Sequence, residues 1–224
     1  MFVVLALVFS ACRKDKDDNH PVYPVDAALL SDFSFSPGTY WIYQDTATGV
    51  LDSAWVTARA SDSVPLGCVI VPNETYYQQM TVSIAVKSIT PYASDSATWV
   101  FTMEDTTLYF YQWDSNDSAT YMMGGFALAN YPIKTGDCHR NTGCIFSRDS
   151  SSIQGTSMAF SSGACSFSNV ALSLHTNSLV IPNAIKCDDH FYIAPGAGIA
   201  KLSLSHPSSS TYRTLQLVRY HVVK

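Results

Sequence analysis

Glutamate is nearly absent from this chain of 224 residues: Glu74 and Glu104 are its only representatives, and charged residues make up 14% of the whole. Strong helix formers are therefore scarce apart from Ala and Leu, whereas Thr, Ser, Val and Tyr abound, a composition that favours strands. Basic clusters are missing too. Beyond Lys16 no run of Lys or Arg occurs and the net charge is -5, which argues against nucleic acid as a partner. The apolar run from Phe2 to Phe9 is too short to cross a bilayer. Gly-x-Ser-x-Gly, His-Glu-x-x-His, the Walker loop and the dinucleotide fingerprint are all lacking, so no local catalytic signature is present and no cofactor is implied.

What is present begins at the N-terminus. The apolar run ends in Ser10, Ala11 and Cys12 and is followed by Arg13, Lys14, Asp15, Lys16, Asp17 and Asp18. An apolar stretch closed by small residues has the outline of a secretory signal. Phe9-Ser10-Ala11-Cys12 resembles a bacterial lipobox, which implies cleavage before Cys12 and a lipid on that residue, palmitate among its acyl chains. At roughly 0.8 kcal/mol per buried methylene, such an anchor holds a soluble domain on a membrane. Lys14, Asp15, Lys16, Asp17 and Asp18 resemble the Lys-then-acidic signal that sends lipoproteins of Bacteroidota-type bacteria to the outer face of the outer membrane. The plainer account of the same residues is a solvated, charge-rich tether. No Lys or Arg precedes Phe2, so the basic n-region of a signal is missing, as though its start were truncated. Residues 1–11 are thus read as signal peptide, 12–26 as a lipid-anchored charged tether closed by Pro21 and Pro24, and 27–224 as one domain. Its length of about 200 residues supports a single sizeable core.

Strand signals fill that domain. Tyr40 to Tyr43 and Ala54 to Ala58 flank a turn in which Gly49 supplies the unusual backbone angle, a hairpin. Tyr76 to Ile89 predicts a longer strand. Trp99 to Met103 and Leu108 to Trp113 enclose Glu104-Asp105-Thr106-Thr107, a second hairpin, and Tyr121 to Ala129 carries a bulge at Gly124-Gly125. Lys134 to Gly163, rich in Ser, Gly and Asp, reads as the least regular part. Val170 to His175, Ser178 to Ile181, Phe191 to Ala194, Ile199 to Leu204 and Tyr212 to Val223 complete the strands, and only Val25 to Leu30 has helical periodicity. The expected fold class is all-β, an antiparallel meander forming a sandwich or an open half-barrel.

Gly38-Thr39-Tyr40-Trp41, Phe167-Ser168-Asn169-Val170, the stretch from Phe191 to Lys201 and Leu217-Val218-Arg219-Tyr220 together resemble a pattern of small β-rich outer-membrane or surface lipoproteins of the Bacteroidota type, whose function is unknown. The resemblance spans most of the domain and implies a β fold at the envelope, with no catalytic residue to carry over. Its motifs are structural. Ala194-Pro195-Gly196-Ala197 is what a type II turn requires, and Gly198 permits a bulge. Ala197 and Ala200 depart from the pattern, where larger aliphatic residues are expected, and leave the turn intact.

With Cys12 set aside, Cys68, Cys138, Cys144, Cys165 and Cys187 remain, an odd number for a compartment where disulfides persist. Cys138 with Cys144, around the polar Arg140-Asn141-Thr142-Gly143, is the first candidate disulfide. Cys165 with Cys187 is the second, and Cys68 is left as a core thiol. Cys138, Cys144, Cys187 and His190 form a competing zinc set; an exported chain meets oxidant before much free zinc, so no metal is assigned. Asp45-Thr46-Ala47, Asp52-Ser53-Ala54, Asp62-Ser63-Val64, Asp95-Ser96-Ala97, Asp105-Thr106-Thr107 and Asp117-Ser118-Ala119 resemble the O-glycosylation sequon of the same bacteria. Thr46, Ser53, Ser63, Ser96, Thr106 and Ser118 are the candidate sites, at expected strand ends or turns, where Asp and Ser or Thr also start turns unaided. His139, His175, His190, His206 and His221 are scattered and read as ordinary surface or core histidines. Glu74 with Glu104 lacks specificity as an acid/base pair, and Asp188-Asp189 lacks calcium-ligand spacing.

Aromatic residues are the remaining lead. Tyr76-Tyr77, Tyr109 to Trp113 and Tyr40 to Tyr43 put rings on both faces of their strands, more than one core face needs. Exposed rings stack on sugar faces, with Gln112 and Asp114 available to read hydroxyls; the competing account is cross-strand pairing and core filling. Three functions stay open. The first is a lipid-anchored, surface-exposed binding or interaction module whose partner is a glycan or an envelope protein. The second is an envelope lipid or lipoprotein carrier with an apolar hollow, and the third a hydrolase assembled from distant strands. A hollow would favour the second, a His within hydrogen-bond reach of a Ser, Asp or Glu the third, and a filled core neither.

Overall fold

The computed structural model describes residues 22–65, 76–87, 97–114, 122–141, 147–179, 187–206 and 209–224. Its elements are β1 (Val22–Tyr23), α1 (Ala27–Phe33), β2 (Tyr40–Asp45), β3 (Leu51–Pro65), β4 (Tyr76–Lys87), β5 (Ala97–Glu104), β6 (Thr107–Asp114), β7 (Met122–Asn130), β8 (Cys138–Asn141), β9 (Ser147–Ser162), β10 (Cys165–Leu179), β11 (Cys187–Ala194), β12 (Gly198–His206) and β13 (Ser209–His221). Alternation sets the faces. In β4, Val82, Ile84 and Val86 are buried while Ser83 and Ala85 are half-buried, and in β2 Trp41, Tyr43 and Asp45 point inward between Tyr40, Ile42 and Gln44.

The strands pair in the order β7-β6-β5-β4-β3-β2-β13-β12-β11-β10-β9-β8, antiparallel throughout, with β1 added parallel to β4. The sheet curls until its two ends meet. Side chains close the seam: Ser151 Oγ on β9 donates to the Ala127 carbonyl on β7, and the Phe126 ring stacks on His175 of β10 at 3.7 Å between centroids. The protein is therefore an all-β, nearly closed antiparallel barrel.

Rings fill the interior. Tyr43 meets Trp99 at 6.2 Å, Trp99 meets Phe110 at 5.6 Å, and Phe110 meets Phe126 at 5.6 Å and Phe191 at 5.4 Å, in mostly tilted or edge-to-face geometry. Each fully buried ring contributes about 2 to 3 kcal/mol by area. Two buried polar groups are tied to the β11–β12 hairpin: Trp41 Nε1 donates to the Ala197 carbonyl at 2.6 Å and Tyr43 Oη to the Ile199 carbonyl at 2.8 Å. Burial holds the Tyr43 phenol protonated far above its ordinary range.

The helix α1 plugs one end. Asp26 caps it, its Oδ1 accepting from the Ala28 and Leu29 N–H groups at 2.9 and 3.0 Å, and Leu29 and Phe33, one turn apart, face the core. Phe33 packs edge-on against Phe101 and Tyr131, and Tyr131 Oη donates to Asp32 at 3.0 Å. At this end two hairpins outrun their neighbours. The pair β3–β4 extends past β5 as far as the Pro65 and Tyr76 pairing, and β9–β10 extends past β11. The second arm folds back against the β11–β12 turn, where Met158, Phe160, Phe167 and Val170 pack on Tyr192, Ala194, Ala197 and Ala200. Gly163 at its tip lies against Val218 of β13.

Several expectations are met in detail. Gly196 has φ 76° and the Ala197 N–H donates to the Ala194 carbonyl at 3.0 Å, as a type II turn requires. The β6–β7 register slips between Phe110 and Gln112, which places the bulge at Gly124-Gly125. Three expectations need correction. Lys134 to Gly163 is not irregular, for it holds β8 and the long β9; Ser178 does not open a separate strand but lies in β10. The sheet takes in residues before 27, because Val22 and Tyr23 pair with β4 and Val25 is buried.

Candidate binding surface

Register builds a face on the outside of the barrel. Tyr40 stands opposite Trp55 on β3 and His221 on β13, which makes a row of three rings across adjacent strands. Trp55 and Tyr40 are 42% and 37% exposed, far above their inward neighbours Trp41 and Tyr43. The Tyr40 and His221 rings lie 5.8 Å apart, tilted by 32°. Two residues along each strand, Ile42 stands opposite Ser53 and Arg219, and Ser53 opposite Lys87 of β4. One step further, Gln44 stands opposite Gln216, which pairs with Lys201 on β12. Lys201 Nζ sits 5.0 Å from the Tyr192 ring centroid. The nearest acids on these strands, Asp45 and Asp52, point inward and are held by Arg213, Nε to Asp45 at 3.0 Å and Nη2 to Asp52. Burial pushes the Asp45 carboxyl up, yet hydrogen bonds from Arg213 and the Thr48 and Ala47 amides, with the Arg213 charge, leave it below its usual range.

A second cluster lies inside the seam. Ser151, His175 and Asp189 stand directly opposite one another on β9, β10 and β11, and all are buried. Their types suggest a nucleophile, a base and an orienting acid, but their geometry does not. His175 Nδ1 is 4.0 Å from Asp189, beyond hydrogen-bond reach, the Ser151 proton is given to the Ala127 carbonyl, and neither His175 nitrogen has a hydrogen-bond partner among the described residues. The ring face of His175 is taken up by Phe126. The cluster is a packing feature of the closure.

The sequence candidates divide in the same way. Of the rings expected to bind sugar, Tyr40 is outside, while Trp41, Tyr43 and Phe110 fill the core. Tyr76, Tyr77, Tyr109 and Tyr111 are half-buried, and Tyr77 stacks on Tyr23 at 5.4 Å. Burial, reinforced by Glu104, raises the Tyr109 and Tyr111 phenols. Trp55, Arg219 and Lys87 were not read from sequence as binding residues; the alternation of β3 and β4 is the signal that exposes Trp55 and Lys87, whereas the register slip between Leu217 and Arg219 breaks the alternation of β13. The side chains of Gln112, Trp113 and Asp114 lie outside the described residues.

Cys138 and Cys165 carry free thiols, Cys138 exposed and Cys165 buried. The pairing of Cys165 with Cys187 is overturned. Cys187 stands opposite Asn177, at the far end of β10 from Cys165, roughly 40 Å away along the strand, whereas a disulfide needs the two Cα atoms within about 7 Å. Cys68, Cys144, and the side chain of Cys187 lie outside the described residues, as do Cys12 and the export residues Lys14 to Asp18. The zinc set is split as well. Cys138 reaches His190 only through Ser152 and Leu174, three strand spacings or about 14 Å. Among the described residues no group of three or more His, Cys, Asp or Glu is placed to hold a metal ion. Of the glycosylation candidates, Thr46 is exposed in the β2–β3 turn, where Asp45 accepts from the Ala47 and Thr48 amides. Thr106 is in the β5–β6 turn, but Ser53 and Ser63 lie within β3 and not at strand ends, and Ser96 and Ser118 lie outside the described residues.

No protein-family model matches the chain, and no curated protein matches it. Among solved structures it is similar to a Bacteroides fragilis protein assigned as exported, with a YmcC-like fold, at a TM-score of 0.47 and 14% identity over 85% of this chain and 98% of that one. It is also similar to a Parabacteroides distasonis protein assigned as a lipoprotein, at a TM-score of 0.42 and 11% identity over 85% and 99%. At these scores neither likeness bears on function.

Proposed function

We propose that this is a lipid-anchored protein of the cell envelope, facing the exterior from the outer membrane, and that it binds a saccharide on the outer face of its barrel. The observation that carries the binding reading is the exposed row Trp55, Tyr40 and His221 outside an interior already occupied by Trp99, Phe101, Phe110, Phe126 and Phe191. Large rings gain most from burial, so three left side by side on a sheet surface are available to stack against the apolar face of a sugar ring. The packed interior weighs against a lipid carrier, and the 4.0 Å gap and committed Ser151 weigh against a hydrolase. Anchoring rests on the lipobox-like Phe9 to Cys12 and the charged residues after it.

Two measurements test the reading. Mass analysis of the N-terminal peptide from native membranes should find a lipid on Cys12, and an unmodified Cys12 on an uncleaved N-terminus would remove the anchor from the account. In a saccharide-binding screen on the full chain in detergent, Trp55→Ala with Tyr40→Ala should weaken binding at least about tenfold, the order expected when stacked rings are removed. Their unfolding transition should stay near wild type because both rings are outside the core. Unchanged binding by the double variant would sink the ring row as the site.

A further inference from the structure

We infer that the saccharide this face fits is an acidic one, a chain carrying carboxylate or sulfate groups; the inference rests on the saccharide reading above and adds the charge. The chain as a whole is acidic, with a net charge of -5. The ring face inverts that balance. Lys87, Arg219 and Lys201 all belong to the outward set of β4, β13 and β12, Lys87 and Arg219 are exposed, and the carboxylates nearest this face on β2 and β3, Asp45 and Asp52, point inward. Among the described residues of these strand segments the face therefore carries cations and no outward carboxylate.

The spacing suits a chain, not a point charge. Three strands place His221, Tyr40 and Trp55 across about 10 Å, and the row of Arg219, Ile42, Ser53 and Lys87 runs parallel to it, about 7 Å away along the strands, with its two cations about 14 Å apart. A saccharide lying along the ring row presents its ring faces to the aromatics and its pendant acidic groups to the flanking cations. Arg219 offers a planar fork that meets a carboxylate or sulfate in two parallel hydrogen bonds, and Lys87 a point charge at the other end. Gln44 and Gln216 stand opposite each other in the next row, with amide groups of the kind that read hydroxyls, although the Gln44 amide is partly engaged with the Gly49 carbonyl at 3.3 Å.

The experiment uses the full chain in detergent and three probes: galacturonic acid oligomers, the same oligomers as methyl esters, and sugar-free vesicles of phosphatidylglycerol in phosphatidylcholine. The acid oligomer should bind at least about tenfold more tightly than its ester, the order of one charge-assisted bond lost, and Arg219→Gln with Lys87→Gln should erase the difference. Binding of the acid form should weaken between about 0.05 and 0.5 M salt, since exposed charges are screened. Both glutamine variants leave the core untouched, so their unfolding transitions should match wild type. Equal binding of acid and ester, lost in Trp55→Ala, would overturn the acidic preference and leave the saccharide reading standing. Binding of neither oligomer would overturn the acidic inference; loss of the wider reading would need the broader saccharide screen to be blank too. Binding to the vesicles with the same dependence on Arg219 and Lys87 would overturn it in favour of an anionic membrane surface.

Discussion

Arg213 shows how a single side chain can decide the acid stability of this barrel. It is the cation that lets Asp45 and Asp52 stay buried, and Asp45 is held below its usual range although burial alone would raise it. A depressed carboxyl contributes stability that is fully present above its unfolded value of about 4 and is lost as pH falls through the lower folded value. Arg213→Met should therefore cost about 3 kcal/mol at pH 7, where two buried carboxylates lose their partner, and less near pH 3, where burial without Arg213 lets the Asp45 carboxyl take up a proton. Denaturant unfolding at both pH values checks this, and a cost that does not shrink with acid would refute the pairing. His175 predicts the opposite sign. With neither ring nitrogen bonded among the described residues and its face on Phe126, His175→Phe should stabilise by about 1 kcal/mol, because an unsatisfied buried polar group is removed. A loss of stability on thermal unfolding would show that the imidazole nitrogens are used.

At the scale of elements, the helix is the part whose stability is most local. It has about two turns and cannot persist alone, so its cap and its two buried side chains decide whether the plug is seated. Asp26→Ala removes both amide contacts and should cost about 1 kcal/mol, read as a lower unfolding midpoint with an unchanged denaturant slope. A changed slope would mean that the whole end of the barrel opens. Helix and hairpins were legible from sequence because their signals are local: the apolar periodicity of Val25 to Leu30, which the structure places at Ala27–Phe33, Gly49 in a turn, and the turn residues Glu104 to Thr107 between two aromatic runs. The strand β9 was not, since it lies near the sheet edge and, among its residues with described side chains, buries chiefly Ser151, Ile153 and Ser162, so its serines carry no apolar alternation. The candidate face was half legible. Tyr40 to Tyr43 announced rings on two sides, but the alignment of Arg219 with Ser53 and Lys87 exists only once strands distant in sequence are in register.

For the molecule as a whole, the order of strands makes the end of the chain decisive. β2 to β7 form one meander and β8 to β12 another, each built from neighbours in sequence, and β13 is the strand that pairs with both, β2 on one side and β12 on the other. Leu215 and Leu217 of β13 are fully buried, and beyond the strand the Ser36 amide bonds the Val223 carbonyl at 2.8 Å while Lys224 Nζ bonds the Asp32 carbonyl at 2.8 Å, which ties the same segment to the plug. Local meanders close quickly, whereas this pairing spans most of the chain and must wait for both halves, so it governs cooperativity. A chain that stops before Ser209 keeps every residue of both meanders but loses the one strand that pairs with each, so β2 and β12 lose their shared ladder, the core loses Leu215 and Leu217, and only side-chain contacts such as the Phe126–His175 seam still span the halves. It should retain strand signal in the far-ultraviolet, lose the near-ultraviolet signal of packed rings and bind a hydrophobic dye. A truncated chain with the full cooperative transition would show that the seam at Ser151 and Phe126 holds the halves together without β13, and that closure is a cause of the fold and not its last step.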